Sequence, residues 1–500
     1  MPHDRPSILL VTSNGTGMGH LTRQSAIALA MDGRADVALL SLSSGVGVVI
    51  DQGFRAEYVP SYHLPLMPRW TWNAYLRDRI VLLAQELGVD VIAFDGVAPY
   101  RGLLQARLRL PEVGFVWFRR GLWKAGRNLA ALRTEKFFDL IITPGDYASP
   151  ADQGPTSQRP SLNIEPISLL DEVRPLPRNE AAQEIGLDPS HRTALLTIGS
   201  GALGESSQIV EQSADYLRRL GWQVATTRAA LKRSETDVAG VVVLQDVYPL
   251  ARYVRAFDLI VSAAGYNAVH EFITAGIPTV LIPNRDTSTD DQVTRARYAA
   301  TAGIAEWVDP DEGITALEPA LSRAINNSVQ LADEASRVAA RHSGGANQAA
   351  TILIDLAASY RGDQPRPTTR MSRLAMLARG EVTSSVMRAA GPRAANAVRA
   401  ATRRKPDNSP PHKVHISLDV DQSLEAKLPA SVHLTTRAEV GSRASRTVHL
   451  SESVPLSALR TGVCVEHVLP ETSAGYLANR IALIERSYIV DSIRLGRTDQ

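Results

Sequence analysis

The 500-residue chain has a single cysteine and no marked excess of either charge. The lone Cys464 cannot form an internal disulfide or a cysteine-based metal site, which fits a reducing compartment. The formal net charge of +2 argues against a protein built mainly to bind nucleic acid. No uncharged apolar run approaches the roughly 20 residues that cross a bilayer, and the run at residues 8–11 is too short for a signal peptide. We therefore expect a cytoplasmic protein.

What the chain does contain is a repeated alternation of short apolar runs with helix-length segments. Its length exceeds what one hydrophobic core usually organises, so two or three domains are expected. A strand at residues 7–12, a glycine turn and a helix at residues 21–31 open the first half. The same order returns at residues 193–220, after a proline-rich, polar passage at residues 144–177 that we interpret as an interdomain linker. This alternation predicts an α/β fold with parallel sheets covered by helices.

The composition changes beyond residue 360. Residues 361–412 are rich in arginine, alanine, serine and proline and have few acids, which predicts a basic linker. After it, Val414, Ile416 and Leu418 alternate with polar residues, a pattern typical of a half-buried strand. The predicted domains are residues 1–165 and 166–360, then the linker 361–412 and a small β-rich appendage of unknown role at residues 413–500.

Two predicted strand-to-helix turns are rich in glycine. They contain Gly15, Thr16, Gly17 and Gly19 in the first turn, and Gly199, Ser200 and Gly201 in the second. Such turns let the backbone approach a phosphate at a helix N-terminus, although glycine can also serve only to make a tight connection. The glycine spacing departs from the dinucleotide-binding pattern, the second strand ends without a carboxylate, and no P-loop sequence occurs. Ordinary NAD enzymes and P-loop ATPases are therefore disfavoured.

The most specific stretch lies at residues 258–284. A strand, the small-residue turn 263–265 and a helix carrying Glu271 are followed by Ala-Gly-Ile-Pro at residues 275–278. This order resembles the C-terminal half of glycosyltransferase family 28, which contains the lipid-linked GlcNAc transferase of peptidoglycan synthesis. The opening turn ending at His20 resembles the N-terminal glycine loop of the same family. The resemblance covers about the first 360 residues, and it implies a GT-B fold in which two Rossmann-like domains face a cleft.

The resemblance also implies roles for individual residues. Glu271, facing outward from its helix, would accept hydrogen bonds from both hydroxyls of the donor ribose; an acid that merely favours the helix dipole is the alternative. His20 would be the general base, oriented by Asp95, whereas a histidine that only caps a helix start is the simpler reading. The other implied donor-binding positions are Gly199, Ser200, Gly201, Arg228, Val247, Ser262, Gly265, Asn267, Asp290, Asp291 and Gln292. The first turn, with Gly15, Thr16, Gly17 and Gly19, would serve as a phosphate or acceptor loop.

The implied reaction moves a hexose or N-acetylhexosamine from a nucleoside diphosphate donor, UDP-linked by resemblance, to a hydroxyl acceptor with inversion. No metal and no cofactor are expected, because metal-ligand motifs are missing and the nucleotide sugar is itself a co-substrate. The acceptor would be lipid-linked or a glycan of the cell envelope. Residues 370–405 would then lie on the inner face of the membrane, unless they are simply a solvated linker. A sugar-nucleotide 2-epimerase and a catalytically silent sugar-nucleotide-binding scaffold remain as alternatives.

Overall fold

The computed structural model describes residues 5–13, 18–61, 69–198, 205–227, 240–245 and 247–361, together with four strands beyond residue 412. In the described part of the first domain there are seven strands and five helices. The strands are β1 Ser7–Thr12, β2 Asp36–Ser41, β3 Arg55–Tyr58, β4 Val91–Asp95, β5 Gly114–Phe118, β6 Leu140–Pro144 and β7 Leu162–Ile164. The helices are α1 Gly19–Ala30, α2 Gly47–Ile50, α3 Arg69–Glu86, α4 Arg101–Arg109 and α5 Leu129–Leu132.

The second domain has the same kind of parallel sheet, with six strands among its described residues. They are β8 Thr193–Thr197, β9 Gln223–Thr227, β10 Val242–Leu244, β11 Leu259–Ala263, β12 Thr279–Ile282 and β13 Glu306–Trp307. The helices are α6 Arg178–Glu184, α7 Glu205–Arg219, α8 Leu250–Tyr253, α9 Tyr266–Thr274, α10 Gln292–Thr301, α11 Leu317–Asn326, α12 Ser328–Arg341 and α13 Gly345–Arg361.

Both sheets are parallel and share one topology. The strand orders are β3-β2-β1-β4-β5-β6-β7 and β10-β9-β8-β11-β12-β13, so the direction of winding reverses between β1 and β4 and between β8 and β11. In doubly wound sheets, ligands bind in the crevice beyond the carboxyl ends of the strands at this reversal. The predicted pair of Rossmann-like domains is confirmed, and His20, Asp95 and Gly265 all follow or end strands at the two reversal points.

Apolar residues on both faces of the strands explain why the predicted strands form. In β1, Ile8 and Leu10 pack into the core on one side of the sheet, and Leu9 and Val11 into the core on the other. Such continuous apolar runs are typical of strands covered by helices on both faces. The bounds predicted for β1, residues 7–12, agree with those observed, because this is a clear apolar run that ends at a polar turn.

Three short strands of the two domains are not predicted from the sequence. They are β3, β7 and β13, and β7 lies inside the passage that we had interpreted as linker. Strand β7 adds to the edge of the first sheet beside β6, so the first sheet extends to Ile164. It was missed because two of its three side chains are exposed, which leaves no apolar pattern to recognise.

Helix α13 packs against the first domain although it follows the second in sequence. Ala346, Ala349, Leu353 and Ala357 of this helix are buried in the same apolar core as Ile8 of β1. The apolar pattern of residues 347–358 predicts a helix that closes the second domain. The helix is present, but its apolar face covers the first sheet instead.

The predicted strand in the tail is confirmed as β14 Lys413–Asp419. It lies in a parallel sheet with β15 Arg446–Ser451, β16 Cys464–His467 and β17 Ile489–Gly496, in the order β16-β15-β14-β17. The basic segment 370–405 and the connections between these strands lie outside the described residues. Within the parts of the chain that are described, no helix is long and apolar enough to cross a membrane.

Candidate active site between the two domains

His20 and Asp95 lie side by side at the reversal point of the first sheet. Asp95 is the last residue of β4, paired in register with Thr12 at the end of β1, and His20 is the second residue of the helix that follows β1. The imidazole Nδ1 is 2.7 Å from Asp95 Oδ1. The carboxylate is fully buried and the imidazole nearly so. The structure therefore brings together His20, the predicted base, and Asp95, the acid predicted to orient it.

Arg23 is a third member of this cluster and was not predicted. Its Nε donates to Asp95 Oδ2 at 2.9 Å and its Nη2 to Asp95 Oδ1 at 2.6 Å, so the guanidinium grips the carboxylate with two hydrogen bonds. Nη2 also lies 2.9 Å from His20 Nδ1. The sequence did contain a signal, because residues three apart on a helix share a face and an arginine follows His20 at that spacing.

These contacts set the charge states of the dyad. Burial opposes ionisation of Asp95, but the Arg23 guanidinium and the imidazole outweigh it and hold the pKa of the carboxyl at about 2. Burial also lowers the pKa of His20; Asp95 opposes that shift, while Arg23 and Arg120 add to it. A neutral imidazole beside an ionised carboxylate can accept a proton on its free nitrogen.

Helix α9 of the second domain meets this cluster with its first turn. Asn267 Nδ2 donates to the Gly19 carbonyl at 3.0 Å, and Asn267 Oδ1 accepts from Arg23 Nη1 at 3.3 Å. The Tyr266 ring lies 4.9 Å from the Arg23 guanidinium. The N-termini of α1 and α9 therefore meet across the cleft, and both helix dipoles favour a negative charge there. Asn267, predicted to bind the donor, is engaged in this domain contact.

Glu271 is buried on α9, with 8% of its surface exposed, rather than facing outward as we expected. Its helix neighbours Tyr266 and His270 are buried as well, and both contact the first domain. Among the described residues no group donates a hydrogen bond to the Glu271 carboxylate. Burial raises the pKa of Glu271 to about 8. A buried carboxylate to which no described residue donates can accept hydrogen bonds from the hydroxyls of a ligand.

His270 pins α9 to the first domain. Its Nδ1 donates to the Tyr266 carbonyl at 2.6 Å, and its Nε2 accepts from the backbone N–H of Tyr147 at 3.2 Å. Burial lowers the pKa of His270 to about 4, so the imidazole is neutral and can play both parts. Tyr266 adds a further link, since its hydroxyl donates to the Gly145 carbonyl at 2.8 Å.

The predicted donor-sugar residues at the start of α10 already have protein partners. Asp291 caps α10 by accepting from the Thr294 backbone N–H at 3.1 Å, and Gln292 Oε1 accepts from the Asn284 N–H at 3.0 Å. Asp290 accepts from Arg295 Nη2 at 2.9 Å. The structure thus places these side chains in contacts that fix the loop itself, and their predicted role toward a sugar stays a prediction.

A charge network crosses between the domains at the same loop. Arg295, fully buried, donates through Nε to Asp146 Oδ2 of the first domain at 2.9 Å, and Arg120 of the first domain reaches Asp290 Oδ1 at 3.4 Å. The backbone of Lys124 donates to the Thr289 carbonyl at 2.8 Å. This loop of the second domain is therefore held against the first domain by both backbone and charge contacts, which sequence spacing alone could not reveal.

The remaining predicted positions divide into two groups. Those outside the described residues are Gly15, Thr16, Gly17, Gly199, Ser200, Gly201 and Arg228. Among the others, Val247 is half-buried, and buried Ser262 donates to the Ala263 carbonyl at 3.1 Å. Gly265 is the residue before α9, and a Cβ added there would meet no atom within 4 Å. The described residues contain no group of three or more histidine, cysteine, aspartate or glutamate side chains placed to hold a metal ion.

Comparison with known families identifies the second half of this site. Residues 226–349 match the model of the glycosyltransferase family 28 C-terminal domain. This part of the chain is similar to a family 28 C-terminal domain. It contains α9 with Glu271, the cross-domain loop and Arg295, so the resemblance carried by residues 258–284 is confirmed.

The chain is also similar to a named enzyme of Staphylococcus aureus (strain JH9), UDP-N-acetylglucosamine--N-acetylmuramyl-(pentapeptide) pyrophosphoryl-undecaprenol N-acetylglucosamine transferase. The two are 30% identical over 150 residues, covering 27% of this chain and 42% of that enzyme, so the match spans less than half of the relative. Among solved structures, spinosyn rhamnosyltransferase SpnG complexed with thymidine diphosphate is 15% identical, covers 71% of this chain and 100% of that one, and gives a TM-score of 0.46. Acinetobacter baumannii MurG is 17% identical with the same coverages and TM-score.

Proposed function

We propose that this protein is a glycosyltransferase that moves a sugar from a nucleoside diphosphate donor to a hydroxyl acceptor. The observation that carries the proposal is the meeting of the His20–Asp95 pair with helix α9 of a family 28 C-terminal domain. Residues 1–165 would bind the acceptor and residues 166–360 the donor. A base on one side of a cleft and a nucleotide-binding helix on the other are the two parts that sugar transfer needs.

The proposed chemistry is a single displacement with inversion. His20 Nε2 takes the proton of the acceptor hydroxyl as its oxygen attacks the anomeric carbon, and the bond from that carbon to the diphosphate oxygen breaks. Asp95 holds Nδ1–H and stabilises the imidazolium that forms. The departing diphosphate gains its negative charge near the N-termini of α1 and α9, which supports a reaction without a metal ion or cofactor.

The substrate class follows from the match with the second half of the chain. We infer a UDP-linked hexose or N-acetylhexosamine, since the S. aureus relative is named for UDP-N-acetylglucosamine. That name also includes a pyrophosphoryl-undecaprenol acceptor, which supports a lipid-linked or cell-envelope glycan acceptor for this chain. Such an acceptor would place the protein in the cytoplasm at the inner face of the membrane, with residues 370–405 as the contact.

Variants of the two key residues test this function. His20→Ala should lower turnover by about 100-fold or more while donor affinity stays within about twofold, since general base catalysis contributes 10²–10⁴-fold. Glu271→Ala should do the reverse and weaken donor binding. Turnover is followed as UDP release from a panel of UDP-sugars with polyprenyl-linked and glycan acceptors. Normal turnover of His20→Ala would remove the residue as base, and unchanged donor affinity of Glu271→Ala would remove the ribose assignment.

The same panel separates the two alternative functions. A 2-epimerase converts the donor with no acceptor present, which proton NMR of the incubated UDP-sugar detects. For a silent scaffold, calorimetry detects donor binding, but no UDP is released with any acceptor.

A further inference from the structure

Arg23 occupies a position that ordinary dyad chemistry does not require. A histidine and an aspartate suffice to orient a base, yet here a guanidinium that is 2% exposed holds both oxygens of Asp95. Burying a guanidinium is costly unless it is paired, so this contact is specific rather than incidental. The cation lies 2.9 Å from the imidazole nitrogen that faces Asp95.

The distances decide where the hydrogens lie. Arg23 Nη2, Asp95 Oδ1 and His20 Nδ1 form a nearly equilateral triangle with sides of 2.6, 2.7 and 2.9 Å. The angle at Nη2 is therefore about 60°, whereas the two N–H bonds of one guanidinium nitrogen are about 120° apart. Only one of them can point into the triangle, and the carboxylate oxygen at the shorter distance takes it. His20 Nδ1 must then donate to the same oxygen, which leaves Nε2 as the unprotonated nitrogen.

We propose that Arg23 is a positioning residue that keeps His20 neutral, with Nε2 free to accept a proton, by neutralising Asp95. This inference rests on the proposed role of His20 as base. An unopposed buried carboxylate would favour the imidazolium and so block the base in advance. Arg23 removes that bias while leaving Asp95 in place as the acceptor of Nδ1–H. The dyad thus gains orientation without premature protonation.

The second domain takes part in this arrangement. Asn267 accepts from Arg23 Nη1, and the Tyr266 ring stacks near the guanidinium at 4.9 Å. Both residues belong to α9, which carries Glu271. The orientation of Arg23 therefore depends on closure of the donor domain against the first domain. Through Arg23, the same closure affects whether His20 is neutral and can accept a proton.

Among the described residues, the charged groups that act on His20 are Arg23 on its own helix, Asp95 at the end of β4 and Arg120 after β5. Tyr266 of α9 lies against the guanidinium groups of Arg23 and Arg120. Burial keeps the Tyr266 hydroxyl protonated by raising its pKa far above neutrality. Arg120 is a second cation and lowers the pKa of His20 in the same direction as Arg23, so a variant that removes Arg23 alone isolates the contribution of Arg23.

The test measures the protonation of His20 directly in the full chain. Histidine labelled with ¹⁵N and ¹³C is incorporated, and the His20 signals are assigned by their loss in His20→Gln. In Arg23→Gln we expect the pKa of His20 to rise by about 1–3 pH units, because a cation is lost and a carboxylate is freed. Arg23→Lys, which restores the charge, should return most of the shift. Arg34→Met, just beyond the same helix, is the matched control and should leave the His20 signals unchanged.

Turnover provides a second readout that a merely structural role would not move. Arg23→Gln should lose UDP release at about pH 7 and regain it at about pH 9, because His20 is neutral again above its raised pKa. An equal loss at every pH, or an unchanged His20 pKa in Arg23→Gln, would overturn the proposal. If Arg23→Gln does not fold, the double variant Arg23→Gln/Asp95→Asn is compared with Asp95→Asn alone. This comparison isolates the effect of the cation, and the pKa of His20 must be higher in the double variant.

The outcomes for Arg23 and for the proposed function are distinguishable. If His20→Gln releases UDP as fast as wild type, the base assignment fails whatever the titration shows. If His20→Gln is inactive while Arg23→Gln has the wild-type His20 pKa, the function stands and the role of Arg23 is refuted.

Discussion

The pH dependence of donor binding is the most direct consequence of Glu271. With a pKa of about 8, the carboxyl is mostly protonated near neutral pH in the unliganded protein. Two ribose hydroxyls donate best to the ionised form, so the donor must bind the minor species and release a proton. At about one pH unit below the pKa only about a tenth of the protein is ionised, which weakens the apparent affinity about tenfold, or by about 1.4 kcal/mol.

Calorimetry with a UDP-sugar measures this effect. Affinity should rise about tenfold per pH unit from about pH 6 to 7 and level off above about pH 8. Titrations at about pH 7 in two buffers of different ionisation enthalpy should show the release of nearly one proton per donor bound. Glu271→Gln keeps the size of the side chain and should remove both the slope and the proton release. A UDP-sugar is preferred to UDP, whose terminal phosphate itself titrates near pH 6.

Two results would refute the reasoning. Affinity that stays constant from about pH 6 to 9 would mean that the donor binds the protonated acid or avoids it altogether. A slope that persists in Glu271→Gln would assign the proton to another group. The raised pKa of Glu271 also affects stability. Because the folded chain binds this proton more tightly than the unfolded chain, the free energy of unfolding of the unliganded protein should fall as pH rises from 4.5 to about 8.

Further predictions concern packing and approach to the site. Gly265→Ala adds a methyl group into open space, so stability should be unchanged while donor affinity falls if the backbone approaches a ligand there; calorimetry and urea unfolding measure the two effects. Gly345→Ala would make its Cβ clash with the Glu165 carbonyl oxygen and should lower the free energy of unfolding in urea by about 1–3 kcal/mol, and no loss would contradict the observed packing of α13. Leu353→Ala should cost about 2–5 kcal/mol by leaving a cavity in the first domain. Arg295→Met should cost about 3–5 kcal/mol because Asp146 and Asp290 lose a buried partner, and a neutral outcome would mean that they are solvated.

Strands with strong apolar runs were predictable, whereas elements that depend on distant partners were not. The run Ser7–Thr12 is buried on both sides and could be predicted directly, but β7 has one buried side chain and is defined by its pairing with β6. The helix α13 was visible as a pattern, yet its attachment to the first sheet depends on residues more than 300 positions away. Local periodicity reports which face of an element is apolar, and it does not report which core covers that face.

The site shows the same division. The pairing of His20 with Asp95 follows from parallel-strand topology, since the carboxyl ends of neighbouring strands share one edge of the sheet. The burial of Glu271 could not be predicted, because local spacing places the residue on a helix and does not report what covers that part of the helix. The i, i+3 spacing places Arg23 on the same helix face as His20, but it does not show that the arginine is buried, because an arginine near a helix start is usually a surface residue.

Helix α13 also constrains how the chain can acquire its structure during synthesis. The first domain is made first, but residues that complete its core, such as Leu353, leave the ribosome only after the whole second domain. Until then Ile8 and its neighbours lack part of their cover, so the first domain must wait in an incomplete, exposed state. Any expressed fragment that ends before Gly345 should inherit that state permanently. A free α13 peptide added to such a fragment would supply the missing surface in trans.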